Sequence, residues 1–163
     1  MLASAKWAHI DLESKLWSIP AKEMKMSDPF NIALNSYALH ILKSQQIEFE
    51  ILQSPFVFPA ISKEWHIHRD TLSKVLRRLS KGKWNCRVTT HGFRATFKTI
   101  CSIHEVELLK FGIGNNTIES ALAHKTNNAI QYAYEREKST LKQQEILMQR
   151  YGDYLNGLCK FKI

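Results

Sequence analysis

A chain of 163 residues, 44% hydrophobic and 23% charged, can fold as one globular domain and is not composed like a disordered one. Its formal net charge of +8 points to an anionic partner if that charge is concentrated. No apolar run is long enough to span a bilayer, and the opening MLASAKWAHIDLE lacks the basic-then-apolar order of a secretory signal.

In chain order, Trp7–Ile10, Trp17–Ile19 and Phe30–Leu34 read as three short strands, with Pro20 and Asp28-Pro29 at the joins. The period then changes. Leu34, Ala38, Ile41 and Leu42 follow helical spacing through residues 35–52, with Asn35 or Ser36 as the N-cap. SPFVFPA at 54–60 reads as an extended connector. RDTLSKVLRRLSK at 69–81 is the clearest amphipathic helix. Leu72, Val75, Leu76 and Leu79 form its apolar stripe, Lys74, Arg77, Arg78 and Lys81 lie mostly off it, and Gly82 ends it. A loop with Trp84 and Cys86 leads to the helix of HGFRATFKTICSIHE. FGIGNN at 111–116 reads as a turn, Thr117 as the cap of a short helix IESALAH, NAIQYAYEREK as a further helix, and Leu141 to Leu158 as a C-terminal one. The fold class is α+β: a small three-stranded antiparallel sheet followed by a mainly helical region, in a single domain over 1–163.

The positive charge is concentrated. Residues 63–98 hold ten of the 23 Lys and Arg and two of the 15 acids, which leaves 13 of each sign elsewhere. Such a segment is the electrostatic footprint of a polyanion; the plainer reading is a solvated helix face. Within it, Lys74, Arg77, Arg78, Lys81, Lys83 and Arg87 are the candidate DNA-binding residues. A helix-turn-helix reader at 69–81 is disfavoured, because no second compact helix stands at the short spacing that motif needs. Backbone phosphate contact suits the charges better. The three cysteines, Cys86, Cys101 and Cys159, are odd in number and scattered, which fits a reducing cytoplasm rather than a disulfide framework. No C-x-x-C pair or H-E-x-x-H occurs, so no metal site is expected.

Polar groups recur at Lys25, His91, Arg94, His124 and Tyr134. His91 and Arg94, three apart in HGFRATFKT, have a bland reading: His91 caps or precedes the helix, Phe93 and Phe97 face the core, and Arg94 and Lys98 face water. The sharper reading aims both at one phosphate. A set of Lys, His, Arg, His and Tyr without metal or cofactor suits phosphodiester transfer. A tyrosine phenol attacks phosphorus and stores the bond as a phosphotyrosine. Arg and His stabilise the charge growing on the equatorial oxygens, and a flexible Lys protonates the leaving 5′-oxygen. Lys22 competes with Lys25, and Tyr132 with Tyr134, two residues away on a different helix face. His124 can also serve as a helix C-terminal cation. His66, His68 and His104 are read as non-functional, and Met24 and Met26 as sheet packing.

The order and spacing of these boxes resemble the C-terminal catalytic domain of tyrosine recombinases, in the prophage and genomic-island integrase group. WAHIDLESKLWSIPAKEMKMSDPFNIAL resembles that family's three-stranded sheet, with Lys25 at its catalytic lysine. HGFR matches its H-x-x-R box, IESALAH the segment ending in His124, and QYAYER the nucleophile helix with Tyr134. The likeness covers nearly the whole chain. It implies the integrase catalytic fold, site-specific cleavage and rejoining of double-stranded DNA, no cofactor, and catalytic roles for Tyr134 (nucleophile), Arg94, His91, His124 and Lys25. It also implies a homo-oligomer, a tetramer on DNA, in which a C-terminal segment docks on a neighbour. For the tail after Leu141, packing on its own domain is the favoured alternative.

One element of the family pattern is missing. The family's first catalytic Arg precedes the Trp matched by Trp7, and would fall just before Met1. Lys6 lies beyond that position and is no evident substitute. The expectation is therefore a catalytic domain lacking its first Arg segment and the N-terminal DNA-binding clamp domain, inactive or nearly so as written. The rivals are a non-enzymatic DNA-binding remnant and a type IB topoisomerase-like domain.

Overall fold

Strands β1 (Ile10–Asp11), β2 (Leu16–Ile19) and β3 (Phe30–Ala33) form an antiparallel sheet in the order β1-β2-β3. Ile10 pairs with Trp17, and Trp17 with Ile32. The computed structural model describes residues 2–24, 27–61, 65–85, 87–123 and 141–159, without the side chains of 48–52. The β1–β2 turn is closed by Asp11, whose carboxylate accepts the Glu13 and Ser14 N–H groups at 2.9 Å and the Ser14 hydroxyl at 2.6 Å. Those bonds favour the ionised form and hold the Asp11 carboxyl below its ordinary range, the Ser14 hydroxyl contributing most.

The first predicted strand needs correction. Trp7–His9 is one turn of 3₁₀ helix, and only Ile10–Asp11 pairs with β2. The cause is a distant partner. Trp7 donates to the Pro55 carbonyl and Val57 to that of Ala5, so this backbone pairs with the 54–60 connector instead. The residues that make the turn cover a core of Ala5, Leu42 and Val57, packed by Trp7, Ile10 and Trp17.

Helix α1 (Ser36–Leu52) starts at Asn35, whose Oδ1 accepts the Ala38 N–H at 2.8 Å, so Asn35 is the cap and Ser36 is not. Helix α2 (Thr71–Leu79) is shorter than the 69–81 expected. It ends with Gly82 donating to the Arg77 carbonyl and Lys81 to that of Arg78, a Schellman closure. The left-handed C′ residue is thus Lys81 (φ 48°), one position before the expected glycine, and Gly82 follows at φ 84°. The apolar stripe of α2 is not core: no residue of the helix is buried, and Val75 and Leu79 are 43% and 72% exposed.

Helices α3 (Gly92–Ile103), α4 (Glu105–Leu109), α5 (Asn115–Ala121) and α6 (Leu141–Cys159) build the larger core. It consists of Phe97, Cys101, Leu108, Ile113, Ile118, Leu122 and Leu147. Thr117 does not cap α5; it is buried inside the helix, and Gly114 holds the cap position. Helix α6 packs on its own domain. Leu147 enters the core, Tyr151 meets Phe97 edge-on at 4.8 Å, and Gln144 is buried. The Gln144 amide links the two halves of the fold. Its oxygen accepts the Ala33 N–H of β3 at 3.2 Å, and its nitrogen donates to the Ser120 hydroxyl of α5 at 3.1 Å.

Candidate active site and nucleic-acid interface

The Thr89–Thr90–His91 turn delivers the H-x-x-R box. The Thr89 hydroxyl accepts the Gly92 N–H at 3.0 Å, so the entry into α3 is stabilised without the imidazole of His91. His91 holds the N-cap position but makes no side-chain capping bond, and its ring is exposed. Of the plain readings open in the sequence, His91 precedes the helix at its N-cap position but does not cap it through its side chain.

One turn along, Phe97 faces the core while Phe93 is 52% exposed. The amphipathic division expected for this helix holds for one aromatic and fails for the other. Arg94 is half-buried, and its Nη2 donates to the Leu122 carbonyl at the C-terminal end of α5. That carbonyl belongs to the last turn, where helix acceptors lack intrahelical donors and the dipole favours a cation. Lys98 also turns toward α5, forming an ion pair with Glu119 at 2.5 Å. Neither cation is simply solvated. Leu122 is followed by Ala123 in the left-handed region (φ 51°), where the chain leaves the helix axis.

Lys25, His124 and Tyr134, with the competing Tyr132, lie outside the described residues. Near the first of these, Glu23 receives Lys6 at 2.7 Å and His9 at 3.8 Å. The Lys6 ammonium chiefly holds the Glu23 carboxyl below its usual range. Lys6 is thus engaged by the one-turn helix Ala21–Glu23.

Lys74, Arg77, Arg78, Lys81, Lys83 and Arg87 are all exposed. Among the described residues, no carboxylate pairs with any of the six; the Arg77 Nε donates to the Ser73 carbonyl within its own helix. A Ser73–Thr90 hydroxyl contact at 3.4 Å joins this basic helix to the turn that carries His91. Sequence reasoning missed the pairing of Lys98 with Glu119, for which the only local signal is that Lys98 stands four residues after Arg94 on the same helix face. It also missed a cavity of about 700 Å³ between α1, α3, α4 and α6, lined in part by Ile100, His104, Glu107 and Tyr154. Neither His91 nor Arg94 lines that cavity. No cluster of metal-ligating side chains occurs among the described residues. No helix there is long and apolar enough to cross a membrane.

A sheet followed by helices, with an H-x-x-R box at the start of α3, is the pattern of the phage integrase family, and the sequence profile of that family matches residues 2–140. The chain belongs to this family. It is similar to prophage integrase IntA of Escherichia coli strain K12, 31% identical over 156 residues that cover 95% of this chain and 35% of that protein. Prophage integrase IntZ of the same strain is 28% identical, over 96% of this chain and 36% of its own length. The integrase of Enterobacteria phage P4 is 25% identical, over 95% and 36% respectively. The chain therefore spans about a third of the length of these relatives. No solved structure gives a significant match.

Proposed function

We propose that the chain is the catalytic segment of a site-specific recombinase that cuts and rejoins double-stranded DNA through a phosphotyrosine. Tyr134 is the nucleophile, His91, Arg94 and His124 contact the scissile phosphate, and Lys25 is the general acid. The observation that carries this reading is the tie between Arg94 and the Leu122 carbonyl. It joins the H-x-x-R box to the end of α5, two positions before His124 in the sequence. A guanidinium held there is oriented before any charge develops on phosphorus, the condition for transition-state stabilisation. The exposed basic residues from Lys74 to Arg87 supply a sequence-independent grip on the backbone.

Residues 1–163 contain no arginine ahead of Trp7. We therefore expect this polypeptide alone to cleave weakly, whatever precedes it in a longer chain. Removing one oriented donor from such a site costs roughly 3–4 kcal/mol, about a hundredfold to a thousandfold in rate. The non-enzymatic alternative, a DNA-binding remnant, draws on the same basic surface. Assembly on DNA as a homo-oligomer is part of the proposal. The buried face of α6 is committed to its own domain, so contact with a neighbour would use other surfaces.

The test incubates the protein with nicked duplexes made from DNA flanking its gene, digests any covalent complex, and identifies the modified peptide by mass spectrometry. A nucleotide on Tyr134 supports the proposal. A nucleotide on Tyr132 reassigns the nucleophile. DNA binding without an adduct, even after the chain is joined to the N-terminal region of an active relative, favours the remnant.

A further inference from the structure

We infer that Lys98 is a positioning residue, which through its ion pair with Glu119 orients α5 against α3 so that Arg94 is held in place. This rests on the reading of Arg94 as a phosphate-binding group. Arg94 and Lys98 are one turn apart on α3, and their partners are Glu119 on α5 and Leu122 at its C-terminal cap, three residues apart. Two ties one turn apart between the same helices fix rotation as well as distance; a single tie leaves a pivot. Apolar packing already joins the helices through Phe97, Ile118 and Leu122, but such packing is non-directional.

The burial is lopsided. The Glu119 side chain is 15% exposed and that of Lys98 is 54% exposed. A carboxylate so enclosed is stabilised by a cation nearby, because burial weakens its solvation by water. Lys98 falls at the end of the basic segment 63–98, where the sequence reading has it face water. Its pairing with Glu119 distinguishes it from Arg77 and Arg78, which face no carboxylate among the described residues. The direction in which the chain leaves α5, at Leu122 and the left-handed Ala123, is then set by the same pair.

The experiment uses the full chain and the variants Lys98→Met, Glu119→Gln and Lys98→Arg. Three readouts are taken: phenylglyoxal modification of Arg94 followed by mass spectrometry, alkylation of the buried Cys101 thiol, and the salt dependence of affinity for random-sequence duplex DNA. Lys98→Met and Glu119→Gln are expected to speed Arg94 modification about tenfold, on the order of the effect of breaking one partly buried ion pair. Cys101 alkylation and the salt slope should stay as in the unsubstituted chain, and Lys98→Arg should restore slow Arg94 modification. Unchanged Arg94 modification overturns the inference. So does a parallel rise at Cys101, which would make the pair a general core staple. A salt slope lowered by about one in Lys98→Met makes Lys98 a phosphate contact and also overturns it. An Arg94→Ala variant whose salt slope equals that of the unsubstituted chain would instead overturn the phosphate reading of Arg94, and is recognised because it does not depend on Lys98.

Discussion

The guanidinium of Arg94, on α3, donates to the carbonyl of Leu122, at the end of α5. This bond serves stability and site geometry together. It satisfies an end-of-helix acceptor that receives no helical N–H among the described residues, and it fixes the arginine of the H-x-x-R box. Replacing Arg94 by Ala is expected to lower stability to urea by about 1–3 kcal/mol, the range for a hydrogen bond with a charged partner. Arg94→Lys should fall between, since an ammonium keeps the charge but loses the planar fork. A variant as stable as the parent would show that the bond is not made in solution.

Gly152 sits where α6 crosses the start of α1. A Cβ there would stand 2.6 Å from Asn35 Nδ2 and 2.7 Å from Tyr37 Cδ2. Asn35 caps α1 and also donates to the Met148 carbonyl at 2.8 Å, so it cannot move freely. Gly152→Ala is expected to cost about 1–3 kcal/mol by overpacking. Gly157, whose Cβ position is open, provides the control. Equal urea midpoints for Gly152→Ala and Gly157→Ala would contradict this packing.

Burial pushes the Cys101 thiol up to about 11 from an ordinary 9.0. A raised value means that folding favours the protonated thiol. The contribution is complete below about pH 9 and is lost as pH rises through about 11. By then it amounts to about 2–3 kcal/mol at most. Tyr151 is also raised, by burial first and by Cys101 second, and titrates in both proteins. Stability of Cys101→Ala should therefore fall less steeply between pH 9 and 11 than that of the parent. Parallel curves would mean the thiol is not buried.

Much of this fold is legible in the sequence, because α1, α3 and α6 carry long helical periods and β2 and β3 stand between prolines and turns. What escaped depends on distant partners. Trp7–His9 has the composition of a strand, but the backbone leading into it, Ala5 to Trp7, is bonded to residues 55–57. The stripe Leu72, Val75, Leu76, Leu79 has the right period, yet whether it is buried depends on what packs there, which period cannot reveal. Gln144 is buried because it meets Ala33 and Ser120 from elements far away in the chain. At the site, the H-x-x-R spacing was visible, whereas the turning of Arg94 and Lys98 toward α5 was not. Both are long polar side chains that, read locally, belong in water.

The basic surface predicts salt-sensitive, nearly sequence-independent binding to duplex DNA. Removing one phosphate-binding cation should reduce the slope of log affinity against log salt by about one. Arg77→Ala with Arg78→Ala is expected to flatten the slope by up to about two. Because phosphate recognition carries no base code, affinity should fall to the same extent on unrelated sequences. Tight binding that salt does not weaken would contradict the role of this face.

Covalent capture on a suicide substrate tests the central claim most directly. The substrate is a duplex nicked close to the cleavage site, so that the broken strand departs and the phosphotyrosine cannot religate. Residues 1–163 alone should accumulate little adduct, roughly a hundredfold to a thousandfold less than the same residues preceded by the N-terminal region of an active relative. In that extended protein, Tyr134→Phe should abolish the adduct and Arg94→Ala should nearly do so, while Tyr132→Phe should leave it intact. An adduct that survives Tyr134→Phe, or one indifferent to Arg94→Ala, would contradict the account.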